Sequence, residues 1–222
     1  MNSLILYNYF RSSTSFRVRI ALELKSLAYE YRPVHLLEDG GQQNKAPYRQ
    51  LNPMGGVPTL VHEGKTISQS LVILEYLDDA FPSTYQLFPK QIYLKAQVKQ
   101  FCEIINADMH AFGNLKVLQY LEKKHTYSYS DKEEWVKHWF HQGFTSLEKI
   151  LQSSAKDFCF GTEVTAADVL LVPFVTTAER YHMDLSMYPH VSRIFKHCMQ
   201  HPGFIKAHPF QQIDTPSELQ HN

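Results

Sequence analysis

The spacing of apolar residues changes near residue 82. Before it, short apolar runs alternate with one-sided helical stretches; after Pro89 only helical spacing is found. Leu4 to Tyr9 reads as a buried strand. The stretch RSSTS is a turn that becomes a helix, with several hydroxyl caps available. Phe16 to Leu27 then sets Val18, Ala21, Leu22 and Leu24 on an apolar face. Tyr31 to Leu36 predicts a second strand, and the polar loop EDGGQQNKAP follows. VPTLV at 57–61 predicts a third strand, which Gly64 turns into a short fourth at Thr66 and Ile67. A helix from Ser70 to about Ala80 directs Leu71, Leu74 and Leu77 inward. The order β-α-β-loop-β-β-α describes a mixed sheet with helices, an α/β domain over residues 1–83.

Pro82 and the STYQ stretch read as a linker. Lys90 to about Lys124 predicts one long amphipathic helix. Asp131 to Leu151 predicts a second, whose acidic opening suits the positive end of the helix dipole. Val169 to Tyr181 is apolar nearly all round and is expected to be a buried central helix. Its start is closely specified: Thr165 as N-cap, Asp168 as capping-box partner, and Val164 with Val169 as a hydrophobic staple. Pro173 inside it predicts a kink. Tyr188 to Gln200 is a last substantial helix, and the polar tail after Pro209 is expected to be extended. Residues 89–222 thus form an all-α second domain.

Composition narrows the class. Hydrophobic residues make up 44% and charged residues 20% of the 222, enough apolar material for a core without covalent staples. Lys plus Arg and Asp plus Glu are 22 each, so no bulk field draws the chain to nucleic acid or an anionic membrane. Cys102, Cys159 and Cys198 are few and far apart, which excludes a disulfide framework and suits a reducing compartment. The opening MNSLILYNYF lacks a basic region, and no run approaches the ~20 apolar residues of a membrane span. A cytoplasmic protein is expected. His138 with His141, and His197 with Cys198 and His201, lack a third ligand at a sensible spacing, so no metal is expected. The aromatic stretch from Tyr120 to Trp139 reads as helix packing.

Three constellations carry candidate chemistry. The first is Arg11-Ser12-Ser13-Thr14-Ser15-Phe16-Arg17, with hydroxyls where a strand hands over to a helix. Free N–H groups there attract an anion, a serine hydroxyl can donate to it, and a thiolate so held has a lowered pKa. The second is Asn52-Pro53-Met54-Gly55-Gly56-Val57-Pro58-Thr59-Leu60. A proline at the first residue of a strand can sit in cis and offer the preceding backbone to a ligand. The third is Gln69-Ser70 at a helix start, a site for a carboxylate. Taken singly, the first and third read more readily as helix caps and the second as an ordinary loop.

In this order and spacing, the three resemble the glutathione transferase superfamily, in which a thioredoxin-like domain precedes an all-helical one. YFRSSTSFRVRIAL, DGGQQ, LNPMGGVPTL, QSLVILEYLDD, NLKVLQYL, LVPFVTTAERYHMDLSMYP and DTPSEL narrow the resemblance to the zeta class, from Leu4 to Leu219. It implies glutathione as cofactor, with Ser12 donating to its sulfur and Ser13 beside it. The family usually has cysteine where this chain has Thr14, and Trp or His where it has Phe16. Gln43 matches a glutathione contact. Val57, before a cis Pro58, matches the backbone that grips the cysteinyl part, and Gln69 and Ser70 match the γ-glutamyl carboxylate site. Asn114 and Leu115 match a cleft-facing pair, and His110 stands where the family often has Gln. Arg180 matches the arginine for a substrate carboxylate, with Arg11 and Arg17 as further guanidinium candidates. For Arg17 and Arg19 a solvated helix face reads at least as well. The implied activity is glutathione-dependent cis–trans isomerisation of a small dicarboxylate, maleylacetoacetate, to fumarylacetoacetate in tyrosine and phenylalanine breakdown. Alternatives are maleylpyruvate as substrate, transfer to or dehalogenation of small α-halo acids, or a non-catalytic interaction module. A homodimer is the implied assembly.

Overall fold

A computed structural model describes residues 3–220. In chain order the elements are β1 (Leu4–Asn8), α1 (Ser13–Leu24), β2 (Tyr29–Pro33), α2 (Ala46–Leu51), β3 (Thr59–His62), β4 (Lys65–Ser68) and α3 (Ser70–Ala80). They are followed by α4 (Ile92–Glu103), α5 (Ala111–Gly113), α6 (Leu115–His125), α7 (Tyr129–Ser154), α8 (Ala166–Arg180), α9 (Pro189–Cys198) and α10 (Pro202–Ala207). By packing, the chain divides into two compact units: Met1–Leu87 with Gln200–Asn222, and Phe88–Met199. Residues 200–220, which the apolar pattern groups with the helical domain, therefore belong to the unit that holds the sheet.

In the first unit the strand order is β2-β1-β3-β4. β1 runs parallel to β2 and antiparallel to β3, and β3 pairs antiparallel with β4. The parallel pair needs a long crossover, which α1 supplies, whereas the tight β3–β4 turn has positive φ at Glu63 and Gly64. The segment expected to be a plain loop instead folds into two 3₁₀ turns and α2, with Pro47 setting the backbone angle in the first helical turn. The tail is not extended either. It forms turns at Pro209–Gln211 and Ser217–Leu219 after α10, and the Gln212 side-chain amide donates back to the carbonyls of Lys206 and His208 at 2.9 and 2.8 Å.

α1 departs most from its sequence reading. Every residue from Ser15 to Leu22 is buried, including Arg17 and Arg19 at 0% exposure. The solvated-face reading of these two arginines is thus overturned, because α1 packs against both α3 and α10.

In the second unit α8 is buried without interruption from Ala166 to Val175 and continues through Pro173. The Asp168 carboxylate accepts from the Thr165 N–H at 2.8 Å and its hydroxyl at 3.0 Å, and from the Cys159 N–H at 2.8 Å. The single helix expected over 90–124 is broken into α4, a π-helical segment at Ile104–His110, α5 and α6. Asn114 is extended and caps α6, its side chain accepting from the Lys116 N–H at 3.1 Å, which ends the preceding helix. The π segment lies close to α7 at Gly143, where a Cβ would come within 2.2 Å of Met109. The three cysteines are free and buried, and burial pushes the Cys159 and Cys198 thiols up. Among the described residues no helix is long and apolar enough to cross a membrane, and no cluster of three or more His, Cys, Asp or Glu suits a metal ion.

Candidate active site

The first unit joins the first sequence constellation to the other two: Thr14 of α1 reaches Val57, and Arg17 of the same helix reaches Ser70 at the start of α3. Ser12 is the N-cap of α1: its backbone is extended and its Oγ accepts from the Ser15 N–H at 3.2 Å. Ser12 Oγ also lies 2.9 Å from Thr14 Oγ1, and Thr14 Oγ1 donates to the Val57 carbonyl at 2.9 Å. A hydroxyl has one proton, and Thr14 gives its own to Val57. The Ser12 O–H therefore points to Thr14 in this arrangement. The capping and chemical readings of Ser12 are compatible, since the cap uses a lone pair and leaves the proton movable.

The Val57–Pro58 bond is cis. A buried polar network supports it from behind. Asn52 Nδ2 and the Tyr48 hydroxyl donate to the Gly56 carbonyl at 2.8 and 2.6 Å, and Tyr48 lies 2.9 Å from Thr59 Oγ1. Desolvation holds the Tyr48 phenol above its ordinary pKa, so it stays a neutral donor.

Three residues after Thr14, on the same side of α1, Arg17 reaches the start of α3. Its Nη1 donates to Ser70 Oγ at 3.1 Å, and both residues are buried. Gln69, which precedes α3, has φ 72° and makes no side-chain cap, so the capping reading of that amide does not hold. Gln69 is exposed. The pair forms a helix N-terminus with a hydroxyl, an uncommitted amide and a buried guanidinium behind it.

Gln43 is buried, donates from Nε2 to the Leu36 carbonyl at 3.1 Å, and has no hydrogen-bond partner for Oε1 among the described residues. Gly41 makes its seat: φ is 92°, and a Cβ there would come within 2.5 Å of the Gln43 amide. Arg11 is exposed, and Ser13 is the first residue of α1.

The remaining candidates belong to the second unit. Asn114 lies 3.3 Å from His110 Nε2, and the His110 ring meets Phe174 edge-on. Leu115 begins α6. Arg180 is exposed in the last turn of α8, where a cation suits the helix dipole, with its guanidinium 5.3 Å from the centre of the Tyr181 ring. His138 and His141 diverge, to Gln142 and Tyr188. Sequence reasoning missed Asn52 and Tyr48 as supports of the site, and it offered Arg17 as a guanidinium for substrate rather than as the partner of Ser70. Only the polar residues flanking the Pro-Gly-Pro loop hinted at such a network.

The family model "Glutathione S-transferase, N-terminal domain" matches residues 2–79, and "Glutathione S-transferase, C-terminal domain" matches 107–208. The chain belongs to the glutathione S-transferase family. Within that family its full-length similarity lies with zeta-class isomerases. It is 44% identical to maleylacetoacetate isomerase of Mus musculus, over 97% of this chain and 96% of that one. A maleyl pyruvate isomerase, a bacterial zeta-class glutathione S-transferase, superposes with a TM-score of 0.92 at 34% identity, covering 96% of this chain and all of the other. Maleylacetoacetate isomerase from Methylobacterium extorquens AM1, solved with malonate and glutathione bound, gives a TM-score of 0.89 at 30% identity, again over 96% and 100%.

Proposed function

We propose that the protein is a glutathione-dependent cis–trans isomerase that converts maleylacetoacetate to fumarylacetoacetate. One observation carries the reading: Ser12, Thr14 and the Val57 carbonyl join into one hydroxyl-bridged unit, and Arg17 of the same helix backs Ser70. These groups fit glutathione. Ser12 at the α1 N-terminus suits the sulfur, and Val57 with Pro58 suits the cysteinyl backbone. Gln69 and Ser70 suit the γ-glutamyl carboxylate, and the unpartnered Oε1 of Gln43 suits a backbone donor of the tripeptide.

Bound glutathione supplies a thiolate that adds reversibly to a conjugated double bond, so that rotation about that bond becomes easy. The chain does the rest. The α1 N–H groups and the Ser12 O–H, turned away from Thr14, lower the pKa of a thiol held beside them. The buried Arg17 guanidinium acts through Ser70 on a carboxylate with little screening by water. Arg11 and Arg180 are assigned to the substrate carboxylates, and His110, Asn114 and Leu115 to the substrate or cofactor walls. We assign the protein to the cytoplasm as a homodimer.

A second reading has a specific support, the TM-score of 0.92 with a maleyl pyruvate isomerase. Absorbance assays of maleylacetoacetate and maleylpyruvate isomerisation, each with and without glutathione, separate the two. Turnover of maleylacetoacetate that depends on glutathione is expected; equal rates without the cofactor overturn the proposal, and a large preference for maleylpyruvate installs the alternative.

A further inference from the structure

The turn that carries Ser12 is held by residues distant in sequence. The Ser12 N–H donates to the Tyr9 carbonyl at 3.0 Å and closes the turn between β1 and α1. Inside it, the Tyr9 N–H donates to Ser15 Oγ of α1 at 3.5 Å. Phe10 is 2% exposed, and its N–H donates to Asp214 Oδ2 at 2.9 Å. The carbonyl of Phe10 accepts from Arg19 Nη2 at 2.9 Å, and that of Tyr9 from Arg19 Nη1 at 3.3 Å. Asp214 in turn accepts from the Tyr31 hydroxyl through its other oxygen. One peptide of the turn is thus held at its N–H by the C-terminal segment, and at its carbonyl by α1.

Asp214 does not sit on a loose end. Thr215 Oγ1 donates to the Pro209 carbonyl at 2.6 Å, the Thr215 N–H to the Gln212 carbonyl at 3.1 Å, and the Gln220 amide to the Thr215 carbonyl at 2.9 Å. Gln212 and Thr215 on either side are buried. The segment is a closed turn with a carboxylate at a defined place. Arg19 ties it in at a second point by donating from Nε to the Ala207 carbonyl at 3.0 Å.

We infer that Asp214 is a positioning residue for the thiol-binding turn: by holding the Phe10 N–H it places the Ser12 hydroxyl two residues on. The inference rests on the glutathione reading for its catalytic consequence and on geometry alone for the brace. Removing the carboxylate leaves a buried N–H without a partner, and the turn relaxes toward water to satisfy it. The Gln69–Ser70 site belongs to the start of α3 and not to this turn, so affinity for the γ-glutamyl end should survive while sulfur placement suffers.

Three variants of the full chain test this: Asp214→Ala, Asp214→Asn, whose amide oxygen can still accept from Phe10, and Tyr31→Phe, which removes the other contact. Amide hydrogen exchange of the cofactor-free protein reads the brace. Asp214→Ala should speed exchange in residues 9–13 with α1 residues 17–22 unchanged, and Asp214→Asn should restore most of the protection. Far-ultraviolet thiolate absorbance against pH reads the function. Asp214→Ala should shift the bound thiol's titration upward and lower kcat about tenfold, with KM for glutathione within about twofold. Unchanged exchange at 9–13 overturns the inference, as does faster exchange with parental titration and kcat. If Asp214→Ala does not fold, the asparagine and phenylalanine variants decide. A parental titration in Asp214→Asn together with a shifted one in Tyr31→Phe would place the effect on Tyr31 and overturn the assignment. If the parent binds no glutathione by calorimetry, the cofactor reading falls, and the exchange arm alone tests the brace.

Discussion

Ser12 holds two roles that one substitution would confuse, and the structure supplies a way to part them. Its Oγ lone pair accepts the Ser15 N–H and caps α1, and its O–H, now pointing to Thr14, is the donor assigned to the sulfur. Ser12→Ala removes both. Loss of an N-cap serine to alanine costs about 1 kcal/mol of stability, or roughly 2–4 °C in Tm for a chain of this size. Loss of a hydrogen bond to a charged sulfur costs about 1.5–3 kcal/mol. At 1.36 kcal/mol per pKa unit that raises the thiol by about one to two units. Turnover at neutral pH then falls about ten- to a hundredfold.

Ser12→Gly separates the terms. Glycine is a tolerated N-cap and costs only a few tenths of a kcal/mol there, yet it lacks the proton. Turnover should fall as far as in the alanine variant, while Tm stays close to the parent. Ser12→Thr retains cap and donor and should keep most of the activity. Thermal melts, steady-state kinetics and thiolate absorbance on all three variants check this. If Ser12→Gly keeps turnover within twofold, or if activity tracks Tm across the series, Ser12 is a cap and the sulfur has another donor.

Asp168→Ala strips acceptors from the buried N–H groups of Cys159 and Thr165 and should destabilise the protein by about 3–5 kcal/mol in urea unfolding; Asp168→Asn, which keeps one acceptor oxygen, should cost less. His208 is depressed below its ordinary value of 6.5, by burial first and by the Arg19 charge second, and its neutral Nδ1 accepts the Phe210 N–H. As pH falls below about 6.5 the unfolded chain takes up this proton before the folded one, so stability should decline through that window. The urea midpoint followed across it should lose part of its slope in His208→Gln, and an unaltered slope would assign the decline to other groups.

What could be read from the chain and what could not divide along a physical line. The helix Ser70–Ala80 and the carboxylate cap at Asp168 follow from neighbours three or four residues apart, and both appear as expected. The cis Pro58 came from the family resemblance of LNPMGGVPTL, since the segment taken alone read as an ordinary loop. The break at Asn114 was hidden because the apolar period runs on across it and outweighs a local cap, while the close approach at Gly143 is a tertiary effect. At the site, Ser12, Gln69 and Ser70 were visible as helix-start chemistry. The Thr14 bridge to Val57 was not, since a contact between a helix start and a loop 43 residues apart leaves no local period.

The buried arginines explain why that limit falls where it does. Arg17 and Arg19 break the helical period of α1, and a rule that sends charge to the surface places them in water. A guanidinium taken from water costs on the order of several kcal/mol unless acceptors replace its hydration. For Arg19 the replacements are the Asn8 side-chain oxygen and the carbonyls of Tyr9, Phe10 and Ala207, three on the strand and turn before Ser12 and one on α10. For Arg17 one is the Ser70 hydroxyl. Each arginine is stable in the interior only if distant segments arrive in register, and each in return holds those segments in place. A lysine offers three donors from one point and cannot span the same set. The groups that shape the thiol turn and the carboxylate site are therefore the ones whose positions depend most on the finished fold, and a reading of local pattern misplaces them for that reason.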